Sequence, residues 1–213
     1  METVSNLVFL VVLLSFWVLA ASRLATILRA LAVQGAAVSL LPLVLTYAEG
    51  GDWLRPALLA ATSLAVKAGL MPWLLWRAIR TVSVRREVEP LLAYGPGLLL
   101  GAAFAGMSFV AAQRLGGAAP AGPLLAGGLA TTFLGLLILV GRTKAVTQVA
   151  GYLLVENGIF VVGLLLHRSM PLMVEAGILL DAFTAVFLMG IFAYRIQQTF
   201  DHMDVHNLAA LKD

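Results

Sequence analysis

The sequence predicts an all-α integral membrane protein of about seven transmembrane helices, with its N-terminus outside and its C-terminus in the cytoplasm. Three observations carry this. Of the 213 residues 61% are hydrophobic and only 12% charged, with a mean hydropathy of +0.97. A soluble chain of that length needs a charged shell, whereas a helical bundle in lipid keeps polar groups for helix ends and interior paths. The apolar residues fall in runs of about 20, the length that crosses a bilayer as a helix. Basic residues gather in alternate connections, as the positive-inside rule requires.

The expected spans run near 4–21, 24–47, 55–77, 95–115, 122–141, 145–167 and 171–194. The first, METVSNLVFLVVLLSFWVLAAS, has no basic residue before Arg23, which favours a retained helix over a cleaved signal peptide. Only Ser22 and Arg23 separate it from the second span, so that hairpin is tight. Arg77, Arg80, Arg85 and Arg86 follow the third span, Arg142 and Lys144 the fifth, and Arg195 and Lys212 the seventh. The opposite connections hold Arg55, Arg114 and Arg168, with the acids Glu49 and Asp52. This asymmetry sets the orientation.

The Gly/Pro-rich stretch GGAAPAGP at 116–123 is the best internal boundary. It divides a four-helix N-terminal region (1–118) from a three-helix module (119–196), followed by a cytoplasmic tail (197–213). Small residues such as Gly101, Ala102, Ala105, Gly106, Gly127 and Gly128 suit close helix packing in lipid. The connection from Arg77 to Tyr94 mixes basic residues with Val82, Val84, Val88, Leu91 and Leu92, so it reads equally as a segment that lies on the membrane surface or docks a partner, or as a solvated connector.

Several function classes drop out. The chain has no cysteine, hence no thiolate-held iron-sulfur cluster and no disulfide. No phosphate loop, catalytic triad or metal cluster is present, and no nucleic-acid partner is implied, because the basic residues sit at helix ends. His202 and His206 have a zinc-compatible spacing of four but no further ligand nearby. None of the three histidines lies well inside an apolar run, which argues against haem.

Four polar side chains stand at mid-depth: Gln34 in the second span, Lys67 in the third, Glu156 in the sixth and Asp181 in the seventh. A charged residue there costs about 2.5 to 3.5 kcal/mol on insertion scales, which makes each a candidate functional group. Brought together in the bundle interior, they offset one another's desolvation and form a lateral polar layer. A low-dielectric surrounding disfavours the charged form and an opposite charge favours it, so a group whose neighbour moves changes its affinity for a proton. Lys144, Gln148, Tyr152 and Glu156 recur every four residues, a row able to carry water from the cytoplasmic end to the acid. Ser63 and Thr184 are candidate local partners of Lys67 and Asp181. Glu175, near the outer end of the seventh span, reads as a gate or snorkelling group. The competing reading of the whole set is a static polar clamp that specifies packing, and Gln34 taken alone fits interhelical glue best.

The segments FLGLLILVGRTKAVTQVAGYLLVENGIF and LLDAFTAVFLMGIFAYR resemble the small three-helix membrane subunit of respiratory complex I (NuoK-like) and the related subunit of multisubunit cation/proton antiporters. The second acid of that family is usually glutamate, whereas this chain has Asp181. Taken whole, with its four additional N-terminal helices, the chain resembles component E of hydrogenase-4 type complexes (HyfE-like). In VKAGLMPWLLWRAI, Lys67 precedes Pro72 by five residues, similar to a lysine-proline pair of the large antiporter-like subunits.

The resemblance implies a non-redox membrane subunit without cofactors of its own or a catalytic site. Iron-sulfur clusters and nickel-iron would reside on partner subunits. It implies antiporter-like and redox-arm-anchoring partners, and a place in the cytoplasmic (inner) membrane of a bacterium or archaeon. Lys67, Glu156 and Asp181 would then form a proton relay, with Gln34, Lys144, Gln148, Tyr152 and Glu175 accessory. The alternatives are a subunit of a sodium/proton antiporter and a structural adaptor with no transport role. A retinal protein is disfavoured, since the seventh span has no lysine.

Overall fold

The computed structural model describes residues 2–50, 53–82, 93–115 and 121–166, and these are almost wholly helical. Helix α1 spans Glu2–Ala20 and α2 Leu24–Glu49. The third crossing is composite: α3 (Leu54–Leu64), a π-helical turn (Ala65–Leu70) and α4 (Met71–Val82). Helix α5 spans Tyr94–Leu115, α6 Ala121–Gly141 and α7 Ala145–Leu166. The result is an all-α membrane protein, with 6 helical stretches among the described residues long and apolar enough to cross a bilayer. They coincide with the first six expected spans to within a few residues, with α4 extending the third to Val82. The seventh expected span, the tail and the histidine pair lie outside the described residues.

Local chemistry sets the turns. The α1–α2 hairpin closes as expected around Ser22 and Arg23, whose carbonyl receives the first amides of α2, from Thr26 and Ile27. Gly50 ends α2 in the left-handed region at φ 69°, returning its N–H to Thr46. The chain direction gathers Arg23, Arg29, Arg77, Arg142 and Lys144 towards one end of the bundle and leaves Arg55 and Arg114 towards the other. We refer to the first as the basic end.

Lipid tails are as apolar as leucine, so helices in a bilayer associate through close packing rather than water exclusion. The α6–α7 contact illustrates this. Gly128 faces Gly158 and Gly135 faces Gly151 in antiparallel register, each pair seven residues from the next. A Cβ on Gly135 would stand 2.6 Å from the Val155 nitrogen, and one on Gly151 would stand 2.7 Å from that of Leu139. The two backbones therefore touch directly. Of the small residues expected at contacts, Gly101 accommodates Leu19 and Phe16, and Gly127 accommodates Val8. Gly106 instead faces open space, and Ala102 is exposed.

Two larger apolar clusters and a small third one fill the interior among the described residues. Of the larger two, the one nearer the basic end includes Leu24, Leu28 and Leu31 of α2, Met71 and Leu75 of α4, and Leu153 and Leu154 of α7. The other includes Val4, Val8 and Val11 of α1, Val38 and Leu41 of α2, and Phe160 and Leu164 of α7. On both α2 and α7 a gap of a few residues separates the clusters. That gap holds the buried polar side chains.

Candidate functional site: a buried polar layer

Lys67 and Glu156, 89 positions apart in sequence, meet in this gap. Lys67 Nζ lies 2.6 Å from Glu156 Oε1, both side chains being 5% exposed. The ammonium also sits 5.2 Å from the ring centre of Phe160, one turn along α7 from the acid. The ring face adds a cation–π attraction, stronger where water is absent.

Three helix features aim the pair. Glu156 is five residues after Gly151 and two before Gly158, about 140–160° around α7 from the glycine seam at 100° per residue. Sealing one face of α7 against α6 thus turns the carboxylate towards α2 and the third crossing. Lys67 occupies the π-helical turn, where i→i+5 bonding widens the helix and shifts the register of everything beyond it. Helix α2 approaches that turn at Gly35, where a Cβ would come within 2.8 Å of the Lys67 carbonyl oxygen. The lysine backbone is thereby braced against α2 while its side chain reaches α7.

A neutral network adjoins the ion pair. Gln34 is fully buried; its amide nitrogen donates to the Val11 carbonyl at 3.0 Å and to Ser15 Oγ at 2.7 Å. Asn157, the residue after Glu156, donates to Gln34 Oε1 at 3.3 Å, and Ser15 donates to the Val11 carbonyl. Side chains of α1, α2, the third crossing and α7 thus form one polar layer between two apolar plugs.

The expected lateral layer therefore exists for Gln34, Lys67 and Glu156, whereas Asp181 and Glu175 lie outside the described residues. One expectation needs correcting: the Ser63 hydroxyl makes no hydrogen bond among the described residues, so it is not the partner of Lys67. The ammonium reaches across the bundle to the carboxylate. Of the polar row on α7, Lys144, Gln148 and Tyr152 are half-buried and Glu156 is buried. Gln148 donates to the Arg142 carbonyl at 3.0 Å, which ties the row to the α6–α7 turn.

Two residues of structural weight were missed in the sequence. Asn157 stands beside the more conspicuous Glu156. Arg142, read from the sequence only as a basic helix-end residue that sets orientation, is buried and donates to the carbonyls of Leu19 at 2.7 Å and Ala21 at 3.2 Å. Its guanidinium lies 5.2 Å from the centre of the Tyr94 ring. It closes the end of α1, where helix carbonyls lack intrahelical donors. Among the described residues no group of three or more His, Cys, Asp or Glu could hold a metal.

No protein-family profile matches the chain, and no solved structure does. Among known proteins, it is 33% identical over 193 residues to the uncharacterized protein Rv0085 of Mycobacterium tuberculosis, covering 89% of this chain and 87% of that one. It is 34% identical over 157 residues to hydrogenase-4 component E of Escherichia coli K12, covering 72% of each, and to the Shigella flexneri protein of the same name to the same extent. A helical membrane bundle and identity of that extent lead to one assignment: the chain belongs to the hydrogenase-4 component E family.

Proposed function

We propose that this chain is a non-redox membrane subunit of a hydrogenase-4 type, complex I-like respiratory complex in a bacterial or archaeal cytoplasmic membrane, and that its polar layer is a link in a lateral proton path. Family membership supports the first part. The observation that carries the second is the Lys67–Glu156 pair, a titratable couple held between two apolar plugs.

Those plugs disfavour a water column through the apolar centre of the bundle, so protons reach the couple either sideways from neighbouring subunits or from the basic end along the half-buried polar row of α7 that starts at Lys144. A proton arriving on Glu156 weakens its hold on Lys67, and a proton leaving Lys67 has the same effect. Either event changes the field felt by the next charged group, with Asp181 the candidate continuation by its sequence alone. Iron-sulfur and nickel-iron chemistry belongs to partner subunits in this reading, and antiporter-like subunits are the expected neighbours.

Glu156→Gln is the decisive variant, because it keeps size and hydrogen bonding while removing the titration. The intact complex is expected to assemble and to lose all or most redox-driven proton translocation in vesicles, measured with a pH-sensitive dye. Normal translocation would sink the relay. The snug, fully sequestered pair also suits a static clamp, and failure of that variant to assemble would favour the clamp.

A further inference from the structure

A cleft of about 440 Å³ opens between α1 and α5, with α6 as its floor. Its cause lies in the helix contacts. Helices α1 and α5 meet where Gly101 admits Leu19 and Phe16, and again at Val12 and Ala105. Beyond these points they diverge towards the end opposite the basic one. Phe9 and Phe109, 60% and 46% exposed, flank the opening, and Ala112 and Ala126 leave its depth unfilled. The lining is apolar except near the span ends, where Asn6 of α1 and Gln113 of α5 border it with Ser5.

Such a space does not stay empty in a bilayer, because a void forfeits dispersion contacts along its whole lining. Water is a poor filler, since apolar walls offer no replacement hydrogen bonds. The hydrocarbon that lies alongside is acyl chain. The cleft runs along the helices, as lipid tails do, and its polar mouth lies where headgroups begin. A partner helix about 10 Å across is too wide to enter the cleft and could seat only side chains in it, whereas a single acyl chain can lie within it.

We infer that this cleft is a phospholipid site. One acyl chain lies against Ala112 and Ala126, and ester or headgroup oxygens accept from the amides of Asn6 and Gln113.

The test is native mass spectrometry of the full-length chain, extracted from its own membrane in mild detergent. Wild type is expected to retain one phospholipid. The double variant Ala112→Leu with Ala126→Leu, which fills the cleft, should lose it while helix content by circular dichroism stays unchanged. Asn6→Leu and Gln113→Leu add almost no bulk and should each reduce retention about fivefold, one hydrogen bond's worth; they decide the matter if the filled variant fails to fold. A wild type that carries no phospholipid, a different bound molecule at the cleft, or wild-type retention by the filled variant or by the mouth variants would overturn the site.

Discussion

At the scale of single residues, the Lys67–Glu156 pair obeys an asymmetric rule. Deleting one partner of a buried ion pair leaves an uncompensated charge and costs about 3–5 kcal/mol, whereas replacing both with apolar groups is often close to neutral. Lys67→Met should therefore destabilise the folded bundle by about that amount, and Lys67→Met combined with Glu156→Leu should recover most of it. Unfolding in detergent followed by tryptophan fluorescence would measure both. Equal losses in the single and double variants would mean that the pair is not coupled. These two residues and Gln34 were legible in the sequence because a polar side chain within an apolar run is conspicuous. Arg142 was not, since an arginine at a span end is what orientation rules already demand. Asn157 hid for another reason, its neighbour being the more expensive residue to bury.

Among the elements, α6 and α7 show how far pattern alone reaches. Apolar run length located the described spans to within a few residues, because the bilayer tolerates little variation in crossing length. The π-helical turn had no such signal: AVKAGL carries ordinary helix formers around one glycine, and the close approach of Gly35 to the Lys67 backbone is a tertiary contact that no local pattern encodes. Gly127 and Gly128 stood out as small residues, but which glycines face which partner is a matter of register that composition does not encode. The register makes a sharp distinction testable. Gly158→Ala would drive a Cβ to 2.6 Å from the Thr132 nitrogen, a backbone atom that cannot yield, so a loss of about 1–3 kcal/mol is expected from overpacking. Gly106→Ala points into open space and should instead stabilise its helix by up to about 1 kcal/mol. Thermal unfolding of the two variants side by side checks this.

For the molecule as a whole, Arg142 matters beyond its own helix. Its side chain holds the end of α1 and the start of α5 at Tyr94, while its carbonyl receives Gln148 of α7. Lysine cannot span these contacts, because it lacks the planar fork by which Nη2 reaches the Leu19 and Ala21 carbonyls while Nη1 reaches the Tyr94 hydroxyl. Arg142→Lys is therefore expected to cost about 1.5–3 kcal/mol, the range for a charged hydrogen bond, whereas Arg29→Lys on the exposed face of α2 should be neutral. Protease susceptibility at the basic end gives an independent readout. The order of helices followed from hydropathy; their mutual packing did not, because an apolar residue reads the same whether it faces lipid or another helix.

The backbone seam between α6 and α7 has a mechanical consequence for the layer it flanks. With peptide groups in direct contact along two successive glycine pairs, α7 can neither rotate nor slide without collision. Glu156 is thereby mounted on the stator of the bundle. Lys67 stands on the one turn of the third crossing that departs from α-helical bonding, at the end of a four-carbon flexible stem. In the relay proposed above, the ammonium is the part expected to travel when the pair opens.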